Sequence, residues 1–287
     1  MNDRQLIILL VCIKIILLGF TSIGSILYSL PFIFIRRFHT PLHFLSLNVS
    51  ITIFVCASFW AIYYFMSTFY ADILWTEKSC LVILYLQTMV VCQFIYALCI
   101  VSLNRLCAIR YHRSVVFRKK KWAIMCIVVQ WLFAAIIPLP QFGSSLEHCF
   151  ISGLELNYQI YVLFIVGVLP GIFLAISNSL IFYSVHRSTR RIRAENQRGD
   201  AVGLVSSQRD TRLLKHMLFM YVIFFCGWIP IYIIGVINWD GDGISYTVFH
   251  ALLILPALSL VVDLIDLFLY NHELRTYLFK KTRNQTN

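Results

Sequence analysis

Charge is scarce in this chain: only 13% of its 287 residues are Asp, Glu, Lys or Arg, while 60% are hydrophobic. A soluble domain carries roughly 25% charged and 45–50% apolar residues, so this composition excludes a water-soluble globule and implies a membrane protein. No long polar stretch interrupts it, which excludes a separate soluble domain and leaves 1–287 as a single unit. Catalytic signatures are missing as well. There is no His-Glu-x-x-His, no serine-nucleophile motif and no phosphate loop, and the His residues lack metal-ligand spacing. An enzyme, a metal and a cofactor are therefore not expected, nor is a nucleic-acid partner. No internal repeat and no symmetric pair of broken helices is visible, which argues against a transporter.

What is present is apolar length. Seven spans can be marked, at about 5–35, 42–70, 77–111, 119–140, 157–187, 208–237 and 245–270, each exceeding the ~20 residues that cross a bilayer. The first contains Lys14, is too long for a signal-peptide core and lacks a small-residue cleavage site, so it reads as a retained helix. The basic residues alternate in place. Of the 24 Lys and Arg, 21 lie in the connections between spans 1 and 2, 3 and 4, and 5 and 6 together with the span ends that flank them (from Arg105 onward in span 3), and in the tail. The opposite face holds only Arg4, Lys14 and Lys78 beside Asp3, Asp72, Glu77, Glu147, Glu155, Asp240 and Asp242. The positive-inside rule then puts the N-terminus outside and the tail in the cytosol. The stretch 188–207 is polar and Gly-containing, and reads as a mobile linker. The tail over about 272–281 places Leu274, Tyr277, Leu278 and Phe279 among basic neighbours, the pattern of a short helix on the membrane surface.

Span 3 stands out. No charge separates Cys80 from Arg105, and as a helix that interval rises about 37 Å, more than the ~30 Å of bilayer hydrocarbon. Its neutral polar groups Gln87, Thr88, Gln93 and Ser102 must point at other helices or a cavity, so this helix belongs in the middle of a bundle. Of the nine cysteines, only Cys80 and Cys149 lie at the weakly basic face, so these two alone could form an extracytoplasmic disulfide.

Three further stretches carry a resemblance. Asn104-Arg105-Leu106 ends span 3, Phe224-Phe225-Cys226-Gly227-Trp228-Ile229-Pro230 lies in span 6, and Asp263-Leu264-Ile265-Asp266-Leu267 lies in span 7. With Trp131, Pro138 and Pro140 in span 4 and Pro170 in span 5, their joint spacing resembles a rhodopsin-like (class A) G-protein-coupled receptor with degraded motifs. The resemblance implies an all-α membrane protein, a seven-transmembrane helix bundle with a short C-terminal amphipathic surface helix. It implies that Cys80 and Cys149 are bonded. It also implies that Arg105 meets the C-terminal segment of a heterotrimeric G protein, with Asn104 too weak to restrain it. Asp210, 20 residues before Pro230, is the remaining acid for a lock on Arg105. Trp228, beside the kink that Pro230 imposes, would repack as the helix moves. Phe224 belongs to the same motif.

Asp263 is an accepted variant of the span 7 motif, but its Pro and Tyr are gone. Asp263 and Asp266 share a helix face at i, i+3. Asp266 then either faces inward with a functional role or sits near the cytosolic boundary beside loop arginines. Ser25, Ile53 and Asn178 replace the family's polar residues in spans 1, 2 and 5, so the sodium pocket and inner water network lose their usual groups.

The retinal-bearing Lys of opsins falls on Ala257 and the amine-binding Asp on Gln87, which disfavours a photoreceptor and a biogenic-amine receptor. The implied pocket is Gln87, Val91, Trp228, Tyr232 and His250, under acidic loops that would steer a cationic peptide. The expected function is plasma-membrane transduction of an extracellular ligand, leaning to a peptide, to a G protein. The alternative is a seven-helix orphan sensor or scaffold with weakened or lost coupling.

Overall fold

The computed structural model describes residues 3–35, 38–71, 77–111, 116–143, 156–195, 202–237, 245–271 and 274–276. These are helical, with no strand among the described residues, and seven helices are long and apolar enough to cross a membrane. They are span 1 (Arg4–Phe34), span 2 (Pro41–Phe69), span 3 (Ser79–Arg110), span 4 (Lys120–Phe142), span 5 (Leu156–Ser184), span 6 (Leu218–Ile237) and span 7 (Thr247–Tyr270). Span 1 packs on span 2, 2 on 3, 3 on 4, 5 on 6 and 6 on 7, and span 7 returns against span 1, while spans 4 and 5 meet through the Tyr161 hydroxyl and the Ile137 carbonyl. Span 3 touches spans 2, 4, 5 and 6. Its most apolar window is 61% buried within the protein, the highest share of the seven, whereas that of span 1 is 22% buried. Gln87, Thr88, Gln93 and Ser102 are all buried, so the central position removes every one of these polar groups from lipid.

Proline sets most of the irregularities. Span 2 opens with Pro41, which needs no hydrogen-bond partner at a helix start, and Thr40 caps it by accepting from the His43 N–H. The α-helix of span 4 stops at Ile136, ahead of Pro138 and Pro140, and a 3₁₀ turn follows at Leu139–Gly143. Two tyrosines satisfy the terminal carbonyls there. Tyr85 of span 3 donates to Ala135 O and Tyr161 of span 5 to Ile137 O, each at 2.8 Å.

Span 5 widens to a π-helix at Phe164–Val168, just before Pro170. There the Leu169 N–H bonds the Phe164 carbonyl, which takes away the donor that an α-helix would give Ile165. The next residue, Pro170, has no N–H to offer. The orphaned Ile165 carbonyl is taken by the Tyr96 hydroxyl of span 3 at 2.9 Å. This explains why a polar hydroxyl sits mid-bilayer on a central helix.

Two sequence expectations change. The linker expected over 188–207 is largely helix: span 5 continues to Glu195 and the span 6 helix starts at Val202. Arg, Gln and Ala in this stretch favour helix, and both helices run beyond the apolar thickness. Span 7 is two helices, Tyr246–Leu252 and Ile254–Tyr270, because Pro256 cannot donate to the Leu252 carbonyl. Of the expected surface helix, Leu274–Thr276 is described and helical, with Leu274 buried. Asn271 starts it, accepting from the Leu274 N–H at 3.1 Å while its amide donates to Tyr28 of span 1 at 3.1 Å.

Candidate functional site

Between spans 2, 3, 5 and 6, at the Cys80 end of the bundle, lies a small cleft that is partly open to solvent. Trp60 of span 2, Leu84, Gln87 and Thr88 of span 3, Gln159 and Val162 of span 5, and Tyr232 and Gly235 of span 6 line it. Of the five pocket residues expected from sequence, Gln87 and Tyr232 are in this wall. Val91 and Trp228, each one turn deeper, are buried beneath it. His250 stands elsewhere, with its Nδ1 3.4 Å from Lys14 Nζ. The buried Gln87 amide nitrogen has no hydrogen-bond partner among the described residues, so one donor at the cleft is uncommitted.

Aromatic rings lead from this cleft into the bundle. Trp60 lies 5.7 Å from Trp228 between ring centroids, Trp228 stacks on Phe224 at 6.0 Å, and Phe224 meets Phe94 of span 3 at 5.7 Å. Trp228, Phe224 and Phe94 are buried, so a shift of Trp60 has no solvent gap in which to dissipate. Pro230 lies within the same helix, two residues from Trp228. Position 227 has room only for glycine: a Cβ on Gly227 would lie 2.5 Å from the Cβ of Ser259 on span 7. No side chain fits there, and Cys226 is exposed on the outer surface of the bundle as a free thiol.

At the Arg105 end, span 6 is tied to span 7. His216 Nδ1 bonds Asp266 Oδ2, and the His216 ring stacks on Tyr270 at 3.9 Å with 3° between planes. Asp266 is thus bonded to a histidine on the facing helix. Asp263, one turn deeper, is fully buried, and neither of its oxygens has a hydrogen-bond partner among the described residues. Asn104 is buried and Arg105 half-buried at the foot of span 3. The backbone of Asp210 belongs to the span 6 helix, but its side chain, like the whole of Cys149, lies outside the described residues. Cys80 is disulfide-bonded, and the seven other described cysteines are free.

The model of the rhodopsin family of seven-transmembrane receptors matches residues 25–264, well over half of the chain. The chain belongs to that family. A search of the curated proteins finds no match. The receptor is thus a multi-pass membrane protein of the class A type, and its departures from the family pattern have structural counterparts.

Where the family keeps polar residues in spans 1 and 2, the receptor has Ser25 beside a fully buried Ile53. Ser29 donates to Ser50 at 3.1 Å, and Ser50 donates to the Ser25 carbonyl at 3.1 Å, so small hydroxyls hold spans 1 and 2 together. Asn178 in span 5 accepts from Ser102 of span 3 at 3.2 Å. A second network binds spans 2, 3 and 4. Asn48 donates to Gln130 at 2.7 Å, Gln130 to Gln93 at 2.7 Å, and Trp131 to Asn48 at 3.0 Å.

Sequence reasoning missed Trp60, Tyr64, Tyr96 and His216, which carry no local pattern that marks them. Lys14 is visible in the sequence, where its position counts it with the loop charges of the Cys80 face. The structure instead buries it completely, 0% exposed, with its ammonium 4.3 Å from the centre of the Tyr64 ring of span 2. A cation within an apolar span was the available signal.

Proposed function

We propose that this receptor carries a signal from an extracellular ligand to a heterotrimeric G protein, with the Cys80 end outside the plasma membrane and the Arg105 end in the cytosol. The observation that carries the reading is the unbroken ring contact from Trp60 in the cleft wall through Trp228 and Phe224 to Phe94. It couples the cleft wall to the helix that contains Pro230. The placement of 21 of 24 Lys and Arg toward one face supports the orientation. Arg105 is the residue assigned to the G protein, and Cys149 is the partner assigned to Cys80. The acidic residues Glu147, Glu155, Asp240 and Asp242 favour a ligand with a basic body, such as a peptide, through steering.

An agonist screen read by G-protein dissociation tests this. The expected result is a ligand that releases G protein from the parent and fails on Arg105→Ala while still binding. A second reading, a sensor or scaffold with weakened coupling, draws on Asn104, whose buried side-chain oxygen has no hydrogen-bond partner among the described residues. That reading expects ligand binding without G-protein release from the parent.

A further inference from the structure

Lys14 is the most costly residue in the bundle that neither the cleft nor the Arg105 end accounts for. It lies ten residues into span 1 from Arg4, a depth of about 15 Å. Its side chain is 0% exposed. Two neighbours meet the ammonium: the face of the Tyr64 ring at 4.3 Å and His250 Nδ1 at 3.4 Å. Neither is an anion. No carboxylate among the described residues lies within ion-pair distance of it. In the described part of the spans, Asp266 is held by His216, and Asp263 lies 13 residues along span 7 from His250, about 20 Å away. A buried cation–π contact contributes about 2 kcal/mol, whereas desolvating an ammonium costs several. The contact offsets only part of that cost, so the site favours the arrival of a negative group.

Lys14 does not line the cleft but lies close behind its wall. Trp60 lines it, the Tyr64 ring is 5.6 Å from Trp60, and the Lys14 ammonium lies over Tyr64. One ring therefore separates the cleft wall from the cation. On the opposite wall the uncommitted Gln87 amide nitrogen offers a donor, and Leu84, Val162 and Tyr232 offer apolar surface. We infer that the ligand is a carboxylate on an apolar stem, its body in the cleft beside Gln87 and its carboxylate drawn to Lys14. This rests on the receptor reading of the cleft and names the ligand chemistry it takes. The C-terminal residue of a peptide has this chemistry, and so does a free aliphatic acid.

The test measures thermal melting of the purified, detergent-solubilised full-length receptor, with no G protein present. The probes are N-acetylphenylalanine, which mimics a peptide C-terminus, and decanoate, each against its uncharged partner, the carboxamide and decanol. At saturation one acid is expected to raise the melting midpoint by a few degrees and its uncharged partner is not. Lys14→Arg is expected to keep the difference and Lys14→Met to abolish it. An apolar residue of similar shape at a buried charge is generally tolerated, and Lys14→Gln serves as the second uncharged variant, expected to abolish the difference likewise, should Lys14→Met not fold. A shift from N-acetylphenylalanine alone identifies a peptide terminus; one from decanoate alone identifies a free aliphatic acid.

Equal shifts from acid and uncharged partner overturn the inference. So does an acid-specific shift that persists in Lys14→Met, one reproduced by sodium sulfate alone, or a parent indifferent to every acid. The receptor reading fails separately. Acid-specific stabilisation without G-protein release counts against transduction only, and G-protein release by a ligand lacking any anion counts against Lys14 only.

Discussion

His216 of span 6 is hydrogen-bonded to Asp266 of span 7, and Tyr270, one turn beyond the carboxylate, lies flat on the imidazole. The His216 side chain is 4% exposed and that of Asp266 22%, so water competes little for this bond. It bridges the two helices at the end of the bundle proposed to meet the G protein, and under that proposal it restrains span 6 against leaving span 7.

Breaking this bond should therefore favour the open form. A hydrogen bond contributes about 0.5–1.5 kcal/mol net, which allows roughly a two- to tenfold change in the closed-to-open ratio. His216→Ala and Asp266→Ala are each expected to raise ligand-independent signalling at matched surface expression. The double variant should add little to either, because both remove the same bond. Fully additive effects would show that the two side chains act independently.

Arg105 and Asp210 make a different pair of expectations. Arg105→Ala should abolish coupling and leave ligand binding largely intact. A lock between Asp210 and Arg105, partly exposed, would contribute about 0.5–1 kcal/mol, a few-fold in basal activity on Asp210→Ala. Basal signalling of that variant equal to the parent would leave the His216–Asp266 bond as the restraint.

The Cys80 bond is a covalent expectation. Peptide mapping without reduction should recover the Cys80 and Cys149 peptides as one linked species. Alkylated Cys149 beside a Cys80 linked to another cysteine would refute the pairing.

Sodium should not modulate this receptor. The positions that hold the ion in the family are occupied by Ile53 and Phe94, both fully buried, and an apolar lining cannot replace a cation's hydration shell. Replacing NaCl by a matched choline salt is expected to leave agonist affinity unchanged. A several-fold shift would point instead to Asp263, the buried carboxylate on span 7.

Tyr96→Phe tests the widened turn of span 5. The change removes the donor to the Ile165 carbonyl and leaves that group unsatisfied within the bundle. The cost is expected to be about 1–3 kcal/mol, read as a lower melting midpoint of the purified receptor, with ligand binding retained below it. An unchanged midpoint would mean that water or a rearranged backbone meets the carbonyl equally well.

The sequence by itself determined the class of object. Low charge, seven apolar lengths and the alternation of basic segments are one-dimensional quantities set by bilayer thickness and by the cost of placing charge in it, so no structure is needed to read them. The polar residues of span 3 were legible for the same reason: in lipid a Gln has only other helices to turn to, and Gln93 does meet Gln130.

Partner choice was left to the tertiary structure. Nothing in the vicinity of His216 distinguishes it from a loop histidine, and nothing near Asp266 excludes an arginine; only the approach of spans 6 and 7 brings these two groups together. Lys14 shows the same limit from the other side. Its presence in span 1 was plain, but whether it faced water, lipid or the interior depended on how span 1 is rotated against Tyr64 and His250. Rotation about a helix axis is fixed by packing between helices, and a single sequence that is apolar on nearly every face of a span carries little record of it.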